Sequence, residues 1–185
     1  MPINAQLLDN PKSDRVRRIA ELTRTKGRRK NGRFLIEGPQ SVREAVRYAS
    51  DIVTDIYVAG DEDGIDSDVL ADIAQRALDK SADLYVHTAT REVIDHISPD
   101  AQGVIAVGDT DKLRSGMKAE VEQASSYSRG MRVAAFWQVR DPGNAGTVIR
   151  AADAAGCDVV VFVDDCVDML NPKVIRSTTG SLFHI

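Results

Sequence analysis

One stretch constrains this chain more than any other. Asp141-Pro142-Gly143-Asn144-Ala145-Gly146-Thr147-Val148-Ile149-Arg150 follows an apolar run, Val133 to Val139, and opens a small-residue segment that stops at Gly156. A second apolar run, Val159 to Val163, comes next. Continuous apolar runs of this length suit parallel strands buried on both faces, and Pro142 suits a first helical turn, where its missing N–H costs nothing. The segment therefore reads as strand, glycine-punctuated turn, helix and strand, a βαβ unit. The first N–H groups of such a helix lack partners and its dipole end is positive, so a corner carrying Arg150 is suited to an anion. Neither GxxxxGK[ST] nor GxGxxG is present, which weighs against ordinary P-loop and dinucleotide sites.

Upstream, strand and helix patterns alternate. A helix is expected from Ser13 to about Thr25, with Val16, Ile19, Ala20 and Thr23 at helical spacing and Gly27 as its stop, followed by a basic loop to Arg33. Phe34–Glu37, Ile52–Ala59, Leu84–His87 and Gly103–Val107 read as strands, with helices at Pro39–Ala49, Asp68–Lys80 and Thr90–His96. This alternation predicts a three-layer α/β domain over residues 1–108. Residues 109–130 are polar with at most a short charged helix and read as a linker. A second, incomplete domain then covers 131–185, with Trp137 in its core and Cys157 and Cys166 as buried free thiols. So small a unit leaves apolar strand faces to be covered, so it is expected to pack on the first domain or on a partner chain.

The 185 residues are 43% hydrophobic, enough for a real core. No apolar run reaches membrane-spanning length and the N-terminus has no apolar signal region, so a cytoplasmic protein without membrane partners is expected. The cysteines and histidines show no metal-ligand spacing, and His87, His96 and His184 share no local motif. The net charge of −4 conceals a local excess: between Lys12 and Arg33 ten basic residues face two acidic ones, which leaves the rest of the chain at −12. A block this basic on an acidic protein is a footprint for a polyanion; a solvated helix face and flexible loop is the plainer alternative. The candidate contacts are Arg24, Lys26, Arg28, Arg29, Lys30 and Arg33.

DPGNAGTVIRAADAAG followed by VDMLNPKVIRSTTGSLF resembles the first motif and following segment of the SpoU (TrmH-type) RNA 2′-O-ribose methyltransferases of the SPOUT superfamily, with Asn144, Gly146 and Arg150 on its N-x-G-x-x-x-R core. GRRKNGRFLIEGPQSVREA resembles the substrate-binding domain, akin to RNA-binding ribosomal proteins, that precedes the catalytic domain in many members. The resemblance implies the first βαβ part of an α/β-knot methyltransferase domain, S-adenosylmethionine as cofactor, ribosomal RNA as the expected substrate and a homodimer for the complete protein. It implies catalytic roles for Asn144 and Arg150, with a helix cap as the alternative for Asn144 and an exposed ion pair with Asp153 as the alternative for Arg150. Lys173 and Arg176 are either RNA contacts or solvated cations on a second crossover helix. The family's second and third motifs do not occur up to Ile185, so no cofactor-binding residues are assigned and S-adenosylmethionine binding by this chain alone is not expected. Two other classes stay open: a noncatalytic RNA-binding protein using the first domain, and a small-phosphate or nucleotide binder using the Gly143–Arg150 turn.

Overall fold

A computed structural model describes residues 4–81 and 83–185. The first part is an α/β unit around one mixed sheet of five strands in the order β1-β4-β3-β5-β2. Its strands are β1 (Asn4–Leu8), β2 (Arg33–Glu37), β3 (Val53–Ala59), β4 (Tyr85–Ala89) and β5 (Val104–Asp109). β1 and β3 run parallel to β4, while β5 runs antiparallel to both β3 and β2. Helices α1 (Asp14–Glu21) and α5 (Arg91–Ile97) pack together, as do α3 (Pro39–Tyr48) and α4 (Asp68–Lys80). Between these two pairs Phe34, Leu35, Ile36, Ile56 and Ile105 are wholly buried. The sequence marks the helix starts: the side chains of Ser13, Ser67 and Thr90 each accept from a backbone N–H in the first turn.

Two segments differ from expectation. The basic stretch after α1 is not a loop but a second helix, α2 (Thr25–Asn31). Gly27 does not stop a helix; it sits inside one, pressed against the end of α1, where an added Cβ would lie 2.0 Å from the Glu21 carbonyl oxygen. Gly32, at φ 60°, ends α2 instead. The expected linker carries α6 (Thr110–Ser125), sixteen residues long and capped by Asp109, whose carboxylate accepts from the N–H groups of Asp111 and Lys112. Only Thr110 and Ala124 of α6 are buried, so no apolar stripe announces it.

The second part contains β6 (Val133–Trp137), α7 (Pro142–Ala154), β7 (Val159–Val163), α8 (Pro172–Ser177) and a 3₁₀ turn at Ser181–Phe183. β6 and β7 pair in parallel, from Val133 opposite Val159 to Trp137 opposite Val163, so the βαβ unit forms. Ala145 and Ile149 of α7 and Val174 of α8 make a small core with Val160 and Phe162. The next residue on α8, Ile175, belongs to the core of the first unit, as does Phe183. One short helix thus ties two cores together, and the expected packing on the first domain is made by α8 and the 3₁₀ turn. The strands differ from expectation: alternate residues of β6 and β7 face outward, Trp137 is 69% exposed rather than core, and Val133, Val161 and Val163 are exposed. Both cysteines are free thiols, half-buried rather than buried.

Candidate catalytic corner and RNA-binding surface

At the α7 corner Asp141 is the cap: its Oδ1 accepts from the backbone N–H of Asn144 at 2.8 Å. Asn144 is therefore not the capping residue, and its side chain is exposed and makes no hydrogen bond among the described residues. Gly146 serves helix packing. An added Cβ would meet Ser177 of α8 at 2.0 Å from Oγ and 2.5 Å from the backbone carbonyl carbon, and Ser177 Oγ donates to the Pro142 carbonyl at 2.8 Å. With Ala145, Gly146, Ile149 and Ala152 turned inward, Asn144, Thr147 and Arg150 lie along the exposed flank. Arg150 makes no ion pair among the described residues, because Asp153 is taken by His184 Nδ1 at 2.9 Å. Burial lowers the His184 pKa, but hydrogen bonds donated to the Asp153 and Glu44 carboxylates outweigh it and hold the imidazole above its ordinary value.

Beyond the flank, Trp137 Nε1 and Gln138 Nε2 both donate to Asp164 Oδ2, at 3.1 and 2.7 Å, and lower its pKa, Gln138 more than Trp137. At the opposite end of the strands Arg129 forks onto Asp158 at 2.5 and 2.9 Å; with the Arg132 N–H it holds that carboxyl at about 2. Both pairs brace the ends of β6 and β7. At this corner the space that Gly146 opens is filled by Ser177 and the flank bearing Asn144 and Arg150 is exposed, so neither forms an enclosed pocket for S-adenosylmethionine.

The eight basic candidates divide. Arg24, Lys26 and Arg29 on and beside α2, and Lys173 at the start of α8, are exposed and make no ion pair among the described residues. Lys30 reaches Glu21 at 4.0 Å, and Arg33 reaches Asp55 at 3.6 Å and Thr54 at 3.4 Å. Arg28 and Arg176 are committed elsewhere. Arg28, 4% exposed, donates to the carbonyls of Leu22 and Thr23 and to Asp168 at 2.5 Å. Arg176 bridges buried Glu37 and exposed Asp100, each at 2.7 Å. Both arginines clasp the second unit to the first. Neither the charge density around Arg28 nor the helix-start pattern before Arg176 hints at this, since their acidic partners lie far away in sequence.

The structure thus joins an α/β unit with a helical basic surface to a βαβ corner whose Arg150 makes no ion pair among the described residues. Residues 13–106 match the MRM3-like substrate binding domain, and residues 131–185 match the SpoU rRNA Methylase family. The chain belongs to the family of proteins that carry an MRM3-like substrate binding domain followed by a SpoU rRNA Methylase domain. It is 34% identical over 178 residues to the 23S rRNA (guanosine(2553)-2'-O)-methyltransferase RlmP of Bacillus subtilis, an alignment covering 96% of this chain and 62% of that protein. The fold resembles that of an rRNA methyltransferase from Sinorhizobium meliloti, with a TM-score of 0.71 at 24% identity over 97% of this chain and 63% of the other. It also resembles AviRb of Streptomyces viridochromogenes in complex with AdoMet, with a TM-score of 0.72 at 21% identity, covering 94% and 62% of the two chains. The chain thus spans about three-fifths of the length of these relatives. Among the described residues no helix is long and apolar enough to cross a membrane.

Proposed function

We propose that this chain is the substrate-binding unit (residues 1–108), connector (109–130) and first catalytic part (131–185) of an RNA (ribose-2′-O)-methyltransferase. In this reading the complete protein is a cytoplasmic homodimer that uses S-adenosylmethionine to methylate a ribose 2′-hydroxyl of ribosomal RNA. The observation that carries the reading is the corner itself: Asp141 takes the cap and His184 takes Asp153, which leaves Asn144 and Arg150 exposed on one flank of α7 with no side-chain partner among the described residues.

Arg150 is suited to electrostatic work. A guanidinium stays protonated in proteins, so Arg150 is a poor base. It can instead donate two parallel hydrogen bonds to an RNA phosphate beside the reacting ribose, and it can stabilise negative charge as the 2′-oxygen loses its proton. Asn144, one turn and a half earlier, offers a carboxamide to the ribose. Lys26, Arg29 and Lys173 supply phosphate contacts that position the strand without reading its sequence. Arg28 and Arg176 hold the two units together and do not bind RNA directly.

The reading is tested with the full-length polypeptide, labelled S-adenosylmethionine and ribosomal RNA, followed by alkaline hydrolysis. Label recovered in an alkali-resistant dinucleotide is the expected result, since a methylated 2′-oxygen cannot attack its phosphate. RNA retained without label transfer would favour a noncatalytic RNA-binding protein.

A further inference from the structure

A cleft of about 620 Å³ opens between α1, the end of α2 and the sheet, separate from the α7 corner. Tyr57 and Asp55 of β3 lie along its floor, and Arg15, Arg18 and Arg33 stand around it. Its size falls within the range of roughly 300–1,000 Å³ common for ligand pockets.

The arginines differ in how they are held. Arg15 lies over the Tyr57 ring, 5.3 Å from its centroid, and donates from Nε and Nη2 to the Tyr57 hydroxyl at 3.2 and 3.0 Å. Its Nη2 also meets His87 Nε2 at 2.7 Å, while Nη1 makes no hydrogen bond among the described residues. Arg33 spends only Nη1, on Thr54 and Asp55. Arg18 is exposed and makes no ion pair among the described residues. The floor cannot answer these donors. Tyr57 is buried, and burial first, then the charge of Asp55, raises its hydroxyl pKa to about 12, so it stays neutral. Asp55 already accepts from Thr54 at 2.9 Å and contacts His87 at 3.1 Å, with Arg15 and Arg33 at 3.7 and 3.6 Å. Asp14, at the rim, is paired with Arg17. The cleft is left with unspent guanidinium donors and no unspent carboxylate, an arrangement that asks for an anion with several acceptor oxygens.

We propose that this cleft binds a phosphodiester of single-stranded RNA, with Arg18 and the unspent edges of Arg15 and Arg33 as the donors. The proposal rests on the RNA reading given above and deepens it, because Arg15 and Arg18 lie outside the basic segment of α2. A concave recess admits a splayed single strand, whereas a duplex presents a convex, paired surface. Asn31 lines the same cleft at the end of α2, so the exposed Lys26 and Arg29 lie on an element that leads into it.

The test is the salt-dependent binding of a single-stranded RNA oligonucleotide to the 185-residue chain and to Arg18→Ala, whose side chain makes no hydrogen bond or ion pair among the described residues. Arg114→Ala on α6 serves as the control. Arg18→Ala should weaken binding by about 3- to 10-fold and lower the slope of log K against log salt by about 0.7, the share of one single-strand phosphate contact. Arg33→Gln should act in the same direction, and Arg114→Ala should leave both unchanged. Equal losses in Arg18→Ala and Arg114→Ala, or no loss in Arg18→Ala, would overturn the proposal. Displacement of the RNA by a stoichiometric nucleoside monophosphate would mark a free-nucleotide site, and equal binding of an acidic peptide would mark a protein site; either would overturn it. Label transfer by the full-length protein decides the methyltransferase reading separately, so either can fail while the other stands.

Discussion

The five-stranded sheet and the two-stranded sheet begin from the same local grammar, an apolar run, a turn and a helix, yet they end in different environments. Ile56 and Ile105 are wholly buried between two helix pairs, whereas β6 and β7 are covered on one face only and expose Val133, Trp137, Val161 and Val163 on the other. A run of apolar residues therefore specifies a strand, but its burial is decided by what the rest of the molecule brings to each face. The second unit has three fully buried apolar residues in its own cluster, Ala145, Ile149 and Val174, and its firmest anchorage is borrowed: Ile175 and Phe183 enter the first core, and Arg28 and Arg176 close ion pairs across the boundary.

Substitutions can break or sharpen this contrast. Ile56→Ala should destabilise the chain by about 2–5 kcal/mol in denaturant titration, the range for a large aliphatic removed from a packed core, while Val161→Ala on the outward face should stay within about 0.5 kcal/mol. Equal losses would erase the difference between the sheets. Gly146→Ala should cost about 1–3 kcal/mol by forcing a Cβ into the Ser177 backbone, whereas Gly143→Ala, whose Cβ would sit 3.1 Å from Asp141 Oδ1, should cost less. Limited proteolysis of Gly146→Ala should cut first in the second unit. Arg176→Met leaves buried Glu37 with Ser98, which donates at 2.6 Å, as its remaining side-chain partner among the described residues, and should cost about 1–3 kcal/mol. The smallest effect concerns pH. The folded pKa of His184 lies above its unfolded value, so the contribution of the charged imidazole is complete below roughly pH 6.5 and is lost as pH rises through the folded value. The difference in melting temperature between the parent chain and His184→Gln should therefore shrink with rising pH.

Much of this fold is legible in the residues. Ser67, Thr90 and Pro39 mark helix starts, and the apolar runs of β2, β3 and β5 are buried as strands of an α/β sheet. What escapes reading has physical causes. α6 buries almost nothing, so its sequence carries no stripe; α2 contains a glycine whose purpose is contact with α1, which only the tertiary structure reveals. The candidate site is legible as a corner, because Asp-Pro-Gly before a small-residue helix is a local signal. The division of its basic residues is not: Arg28 meets Asp168 and Arg176 meets Glu37 from the opposite end of the chain, and no local spacing distinguishes a clasping arginine from a solvated one. The Arg15, Tyr57 and His87 cluster is hidden for the same reason, since a helix and two strands must first be assembled.

In the proposed function, RNA is held chiefly by the first unit and the chemistry falls to the corner of the second. The most direct measurement is Arg150→Ala in the full-length protein, with RNA affinity and methyl transfer measured on the same preparation. The expected result is an RNA dissociation constant within about threefold of the parent and a transfer rate lower by about 10²–10³, the scale for losing one preorganised charge-stabilising donor. Unchanged transfer, or a loss of binding as large as the loss of transfer, would contradict it.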